Sequence, residues 1–179
     1  HSWYIARQLN NFKNNVRGTH INDITGMQMR PIAMTLGTDQ DIDDVVEYVG
    51  SLNGRVKHSG VIGNIKKGES AYAVCATCHG ANGQGNEALN APKIAGLPDW
   101  YVERQLNNFK KGIRGVHPKD IYGQQMRPMA MALLNDEAVR DMTVFVASLK
   151  SSSISKPVTV AASKAVTNVQ APVSEPLYA

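Results

Sequence analysis

"AVCATCHGANGQG" (73–85) holds both cysteines of a 179-residue chain and sets a histidine directly after the second. Two thiols and an imidazole this close admit four readings: a disulfide, a zinc site, a redox dithiol, or a covalently tethered haem. Upstream, "NIKKGESAYAV" (64–74) reads as helical, with Asn64 as N-cap and Gly68 as its one weak interior position. On a helix, Cys75, Cys78 and His79 stand at i, i+3 and i+4, so all three project from one face. Gly80, Gly83 and Gly85 then let the chain turn tightly away.

Three of the readings fail on specific points. Zinc needs four N/S ligands, and the sequence has no second cysteine pair and no H-x₃₋₅-H. A thioredoxin-like dithiol wants a βαβ setting, whereas this surround is helical. One pair of cysteines in one short motif makes no disulfide framework. C-x-x-C-H is the attachment signature of a c-type haem, in which two thiols add to the vinyl groups while the imidazole reaches the iron. The expected cofactor is one haem c, bound through Cys75 and Cys78, with His79 as an axial ligand.

The chain also contains the same unit twice. "WYIARQLNNFKNNVRGTHINDITGMQMRPIAMTL" (3–36) aligns without a gap on "WYVERQLNNFKKGIRGVHPKDIYGQQMRPMAMAL" (100–133), at a constant offset of 97. There are 27 identities over residues 3–52. Each copy reads as a helix, an irregular loop holding Met-x-Pro, and a closing helix. In the second copy Asn135 or Asp136 caps that last helix, and Val139, Met142, Phe145 and Val146 fall at helical spacing. The first copy repeats this with Asp39, Ile42, Val45, Tyr48 and Val49. Shifting the cysteine motif back by 97 places its counterpart ahead of residue 1, and the opening "HSWYIARQLNNFK" has no Met or apolar leader. The expectation is a fragment that begins inside a domain.

A low-spin electron-transfer haem needs a sixth ligand, and a Met opposite the His raises the potential. Met126, Met129 and Met131 are the candidates, against the ordinary use of Met as core filler. Met129 is Ile32 in the first copy, whereas Met126 and Met131 are Met29 and Met34. Met126 is chosen because its "GQQMRP" segment reads as a loop that can aim a side chain, while Met131 starts packing toward the last helix. His117 and its counterpart His20 are the alternatives for bis-His ligation.

The remaining composition sets bounds. Residues 1–55 carry five basic and six acidic side chains, residues 56–149 eleven and eight, and residues 150–179 three and one. This net charge of +4 is too mild and dispersed for nucleic acid. No run of 18 apolar residues exists, so no membrane span is expected. "NGRVKHSGVIG" (53–63) reads as a linker. The Ser/Ala/Val/Pro-rich tail (151–179) has no periodicity and is expected to lie extended along a partner.

C-A-T-C-H-G, then "APKIAG", "WYVERQLNNFKKGIRG", "MRPMA" and a helix ending "FVASL" resemble a bacterial class I cytochrome c. The tandem arrangement is similar to the two-haem cytochrome c4 family. The resemblance covers 64–150 as a complete domain and 1–53 as most of another, joined by a linker at 54–63. It implies an all-α fold of two tandem cytochrome c-type domains, the first without its haem-attachment segment, plus the extended tail. It implies His79 and Met126 as axial ligands, the Pro92 carbonyl on the His79 ring, Ile94 at the haem edge, and Gly68 and Tyr72 crossing Phe145. Met29 becomes a second axial ligand if the missing segment and a second haem exist in the parent protein. The implied function is periplasmic electron transfer between a quinol-oxidising complex or dehydrogenase and a terminal oxidase or similar acceptor, as a bound subunit of a respiratory complex. The alternative is a haem oxidoreductase, a peroxidase or sulfur-compound dehydrogenase, with a displaceable distal ligand.

Overall fold

Side-chain caps fix where the helices start. The Asn64 and Asn135 side chains accept from the backbone N–H of Lys67 and Ala138 at 3.1 and 2.8 Å, and Asp23 and Asp120 do the same for Gly26 and Gly123 at 3.1 Å each. In the first copy the closing helix is capped by Thr38, one residue before Asp39, in a reciprocal box with Asp41. The computed structural model describes residues 1–52 and 57–150. Its helices are α1 (Ser2–Lys13), α2 (Ile24–Met34), α3 (Asp39–Ser51), α4 (Ile65–Ala71), α5 (Ala73–His79), α6 (Asp99–Lys110), α7 (Ile121–Met131) and α8 (Asp136–Ser148). Among the described residues there is no strand, only an isolated bridge between Asn86 and Ala91. The described residues are all-α, as expected. The tail (151–179) and the first four residues of the linker stretch (53–56) lie outside the described residues.

Two expectations are corrected. The Met-x-Pro segments are helical: α2 and α7 run through Pro31 and Pro128. Proline removes one ladder donor near the end of an 11-residue helix, while the Asp cap and the buried Gly123 and Ala130 hold α7 against α6. Tertiary packing therefore overrides the local breaker. The helix before the cysteines is also broken in two, at Tyr72, where a turn separates α4 from α5.

The second copy buries Tyr72, Val102, Leu133, Val139, Met142 and Val146 in one cluster, with Val139 and Met142 each only 1% exposed. Burial of such side chains is worth roughly 1.5–3 kcal/mol each. The tightest packing is α4 across α8. A Cβ on Gly68 would run into the Asp141 carbonyl oxygen and come within 2.8 Å of Phe145 Cβ. Beside this crossing the Tyr72 and Phe145 rings meet at 5.0 Å, tilted by 55°. The first copy has a smaller cluster of Leu9, Ile42 and Val46. Tyr48, the counterpart of Phe145, is 67% exposed, because among the described residues nothing like α4 lies over it.

The described part of the linker is pinned rather than free. The buried Asp99 carboxylate accepts from the N–H of Ser59, Gly60 and Val61 at 2.6, 2.9 and 3.0 Å, and from Trp100 N at 2.7 Å. Burial alone would raise its pKa. The backbone donors of Ser59, Val61, Trp100 and Gly60 outweigh that and hold it well below the usual carboxylate range.

Gly68→Ala is expected to destabilise the second unit by roughly 1–3 kcal/mol through overpacking at the crossing, read by urea unfolding. Asp99→Ala should cost about 1.5–3 kcal/mol at pH 7 by loss of charge-assisted hydrogen bonds. Because the folded pKa of Asp99 is depressed, its contribution is complete above the unfolded carboxyl value. It is lost as pH falls from about 4 toward the folded one, so the gap between wild type and Asp99→Ala should narrow in that window.

Candidate haem-binding site

Three backbone features aim the imidazole. Helix α5 carries Cys75 half-buried, Cys78 exposed and His79 buried, both thiols being free. Gly85 N donates to the His79 carbonyl at 2.8 Å, and Ile94 and Ala95 N both donate to the Gly83 carbonyl at 2.8 and 2.9 Å. The loop between them is closed by mutual Asn86–Ala91 bonds, which bring the Pro92 carbonyl to 2.7 Å from His79 Nδ1. With Nδ1–H donating there, Nε2 keeps its lone pair for a metal. Burial pushes the His79 pKa down, against a smaller pull upward from Pro92, and so favours the neutral imidazole that ligation needs. Burial likewise pushes the Cys75 thiol up, and pushes Tyr72 up to about 12. Tyr72 OH donates to the Gly80 carbonyl at 2.9 Å and ties the end of α5 to the core.

Cys75, Cys78 and His79 line a cavity of about 420 Å³. Pro92 and Ile94 form part of its wall, with Leu106 of α6, Met126 of α7 and Met142 of α8. Thiols at the rim, an imidazole with Nε2 available, a thioether on another helix and the apolar side chains of Ile94, Leu106 and Met142 around them all fit a flat iron macrocycle. The structure brings together Cys75, Cys78, His79, Pro92, Ile94 and Met126. Met129 also reaches the lining, though it is 39% exposed, whereas Met126 is half-buried. Met131 is 52% exposed on another surface. His117 is outside the lining and accepts from Lys119 N at 3.2 Å; His20 does the same for Asn22 at 3.1 Å. Met29 packs half-buried against the small cluster of Leu9, Ile42 and Val46.

The far end of the cavity is polar, and half of it comes from the first copy. Arg114 Nη1 donates to Gln105 Oε1 at 2.7 Å, and its Nη2 donates to Gln8 Oε1 at 2.9 Å and to Tyr4 OH at 3.0 Å. Arg17 mirrors it, donating to Gln8 at 2.7 Å and to Gln105 at 3.0 Å, with Tyr101 as a further partner. Each residue is the other's counterpart at the offset of 97, so the contact has local two-fold pseudo-symmetry. Arg7 adds a contact without a twin. It donates to the Asn90 side chain and carbonyl at 2.9 and 3.0 Å, and it lies 4.4 Å from the Tyr122 ring centre. Sequence reasoning missed this network. Its one signal was the identity of Tyr, Gln and Arg at these positions in both copies, which an alignment of repeats displays but does not assign.

A C-x-x-C-H turn that opens onto a helix-walled cavity defines a c-type cytochrome domain. Residues 65–150 match the cytochrome c family model. Cytochrome c-554(548) of Halomonas halodenitrificans is 30% identical over 86 residues, which are 48% of this chain and 96% of that protein. The chain belongs to the cytochrome c family, and it carries one covalent haem c at the 75–79 motif. It is also similar to the cbb3-type cytochrome c oxidase subunit CcoP of Rubrivivax gelatinosus, at 32% identity over 55% of this chain and 33% of that protein. Cytochrome c4 of Stutzerimonas stutzeri is 30% identical over 54% of this chain and 47% of its own length. The chain thus spans about a third to a half of the length of these two relatives. The solved cytochrome c4 of Acidithiobacillus ferrooxidans superposes with a TM-score of 0.65 at 25% identity, covering 83% of this chain and 84% of that one.

Gly85, at φ +83°, is the position where a side chain would disturb the imidazole most directly, since a Cβ would meet Lys93 N at 2.5 Å and the Pro92 carbonyl carbon at 2.8 Å. Gly85→Ala should displace the Pro92 carbonyl and cost roughly 1–3 kcal/mol. A lower melting temperature together with an altered haem potential would register it; an unchanged potential would show that the Pro92 bond does not tune the iron.

Proposed function

We propose that this chain is the electron-transfer part of a periplasmic c-type cytochrome. It would pass single electrons from a quinol-oxidising complex or dehydrogenase to a terminal oxidase or similar acceptor, as a bound subunit of a respiratory complex. The observation that carries the reading is the pairing of His79, its ring held by Pro92 at 2.7 Å, with the half-buried Met126 on another wall of the same cavity. Cys75 and Cys78 would hold the haem by thioether bonds, and His79 Nε2 and Met126 Sδ would be the donors to its iron. Ile94, in the cavity wall, would pack at the edge of the haem. When bound, the haem supplies a one-electron couple, and a His/Met ligand set places that couple at the high end of the haem range.

Were His79 and Met126 both to bind the iron, no position on it would be left for a substrate, which favours a carrier over a peroxidase or dehydrogenase. The relative named CcoP is a subunit of an oxidase, which supports membership of a complex and an acceptor of that class. No helix among the described residues is long and apolar enough to cross a membrane. Met29 would serve a second haem only where a counterpart of α4 and α5 covers α3.

Met126→Ala should abolish the red Met-to-iron absorption band and lower the potential, while Met129→Ala should leave the band in place. Loss of the band in Met129→Ala instead would reassign the ligand. The reduced wild-type protein should not bind carbon monoxide at neutral pH; rapid binding would favour the oxidoreductase reading. Pyridine haemochrome analysis with intact mass should give one haem per chain of this length.

A further inference from the structure

The two copies treat one arginine differently. In the first, Arg30 is clamped: its Nε donates to Asn15 Oδ1 at 3.0 Å, and its Nη2 donates to the same oxygen. Its counterpart Arg127 runs along the same glycine. A Cβ on Gly18 would come within 3.1 Å of Arg30 Cγ, and one on Gly115 within 3.0 Å of Arg127 Cγ. The acceptor is what changes. At the offset of 97, Asn15 becomes Gly112, and both hold the left-handed conformation, at φ 59° and 67°. A Cβ at Gly112 would sit 3.4 Å from Arg127 Nη2, so the guanidinium lies over the place from which an asparagine would meet it. Arg127 Nε is buried with no hydrogen-bond partner, and no carboxylate among the described residues pairs with the group.

Arg127 lines an open groove of about 570 Å³, whose wall shares no residue with the haem cavity. Val116, Pro118, Pro128 and Met131 line it too, and all four are exposed. An exposed apolar trough around an unpaired cation fits a short segment that carries a carboxylate among apolar residues. The tail contains such a segment. Glu175 is the one acidic residue of 150–179, and it stands in "APVSEPLYA" (171–179), well after Lys150, Lys156 and Lys164. Pro172 and Pro176 fix φ and favour an extended backbone, which lowers the entropy lost on docking. Twenty-four residues separate Lys150 from Glu175. A random chain of that length spans roughly 25–30 Å, about the diameter of the unit it leaves, so Glu175 can reach the groove.

We propose that the groove at Arg127 is the docking site of the chain's own tail, with the Glu175 carboxylate on the Arg127 guanidinium and Pro176, Leu177 and Tyr178 along Val116, Pro118 and Met131. Glu175 supplies the acceptor that Asn15 supplies in the first copy. The planar fork of arginine suits a carboxylate, and the burial of Nε leaves the pair less screened than one in open water. The tail then lies along its own second unit, not along a partner.

The test is backbone amide relaxation by NMR on the full haem-loaded chain in its reduced state. Leu177 and Tyr178 should show order parameters near the value of about 0.85 for rigid backbone, and Glu175→Gln should drop both below about 0.6. Gly112→Asn keeps both partners but restores to Arg127 the acceptor of the first copy, in a conformation that asparagine tolerates. It should release the tail as fully as Glu175→Gln does. If Gly112→Asn fails to fold, Arg127→Gln asks the same question. A tail that stays ordered in the folded Gly112→Asn or Arg127→Gln chain overturns the assignment to Arg127. Order that vanishes on dilution of the wild type would place the tail of a second copy in the groove and overturn the proposal, as would a wild-type Leu177 and Tyr178 that are mobile at every concentration.

Discussion

The bond from His79 Nδ1 to the Pro92 carbonyl is the constraint around which the site is arranged. It selects the ring tautomer, turns Nε2 toward the cavity and reaches 13 residues along the chain to do so. Everything between the two residues serves that reach. The loop is folded back on Gly83 and closed at Asn86 and Ala91, and its turn at Gly85 has a conformation that a side chain would strain. Such outer partners fix ligand orientation and basicity and tune a metal nearly as much as the ligands do.

The second constraint is the crossing of α4 over α8. Without a Cβ at Gly68 the two backbones approach until the Asp141 carbonyl occupies the space a side chain would need. That approach places Tyr72 on Phe145 and sets the start of α5 against the core, so that the cysteines emerge at the cavity rim. The same crossing explains a difference between the copies. Tyr48 has the place of Phe145 in an equivalent helix, yet it stands exposed, because burial depends on an element that the first 52 residues do not include.

The two copies are nonetheless one electrostatic system. Equivalent Arg, Gln and Tyr residues interlock at their contact, and each glutamine oxygen accepts from the guanidinium of its own copy and from that of the other. Arg7 breaks the symmetry. It bridges to Asn90 beside the haem loop, whereas its counterpart Arg104 only stacks on Trp100 at 4.9 Å.

The cysteine pair, the histidine after it, the internal repeat and the helical class were all legible in the linear chain, because each is a matter of local spacing. Cys75, Cys78 and His79 share a face by helical period alone, and Asn64 and Asn135 announce their helices by side-chain chemistry. The helical state of the Met-x-Pro segments was not legible, since proline is a local breaker and the packing of Gly123 and Ala130 that outweighs it is tertiary. Nor was the gathering of Tyr4, Gln8, Gln105 and Arg114 at one end of the cavity. Those residues lie up to 110 positions apart in sequence, and only the folded contact between the copies brings them together and removes water from them.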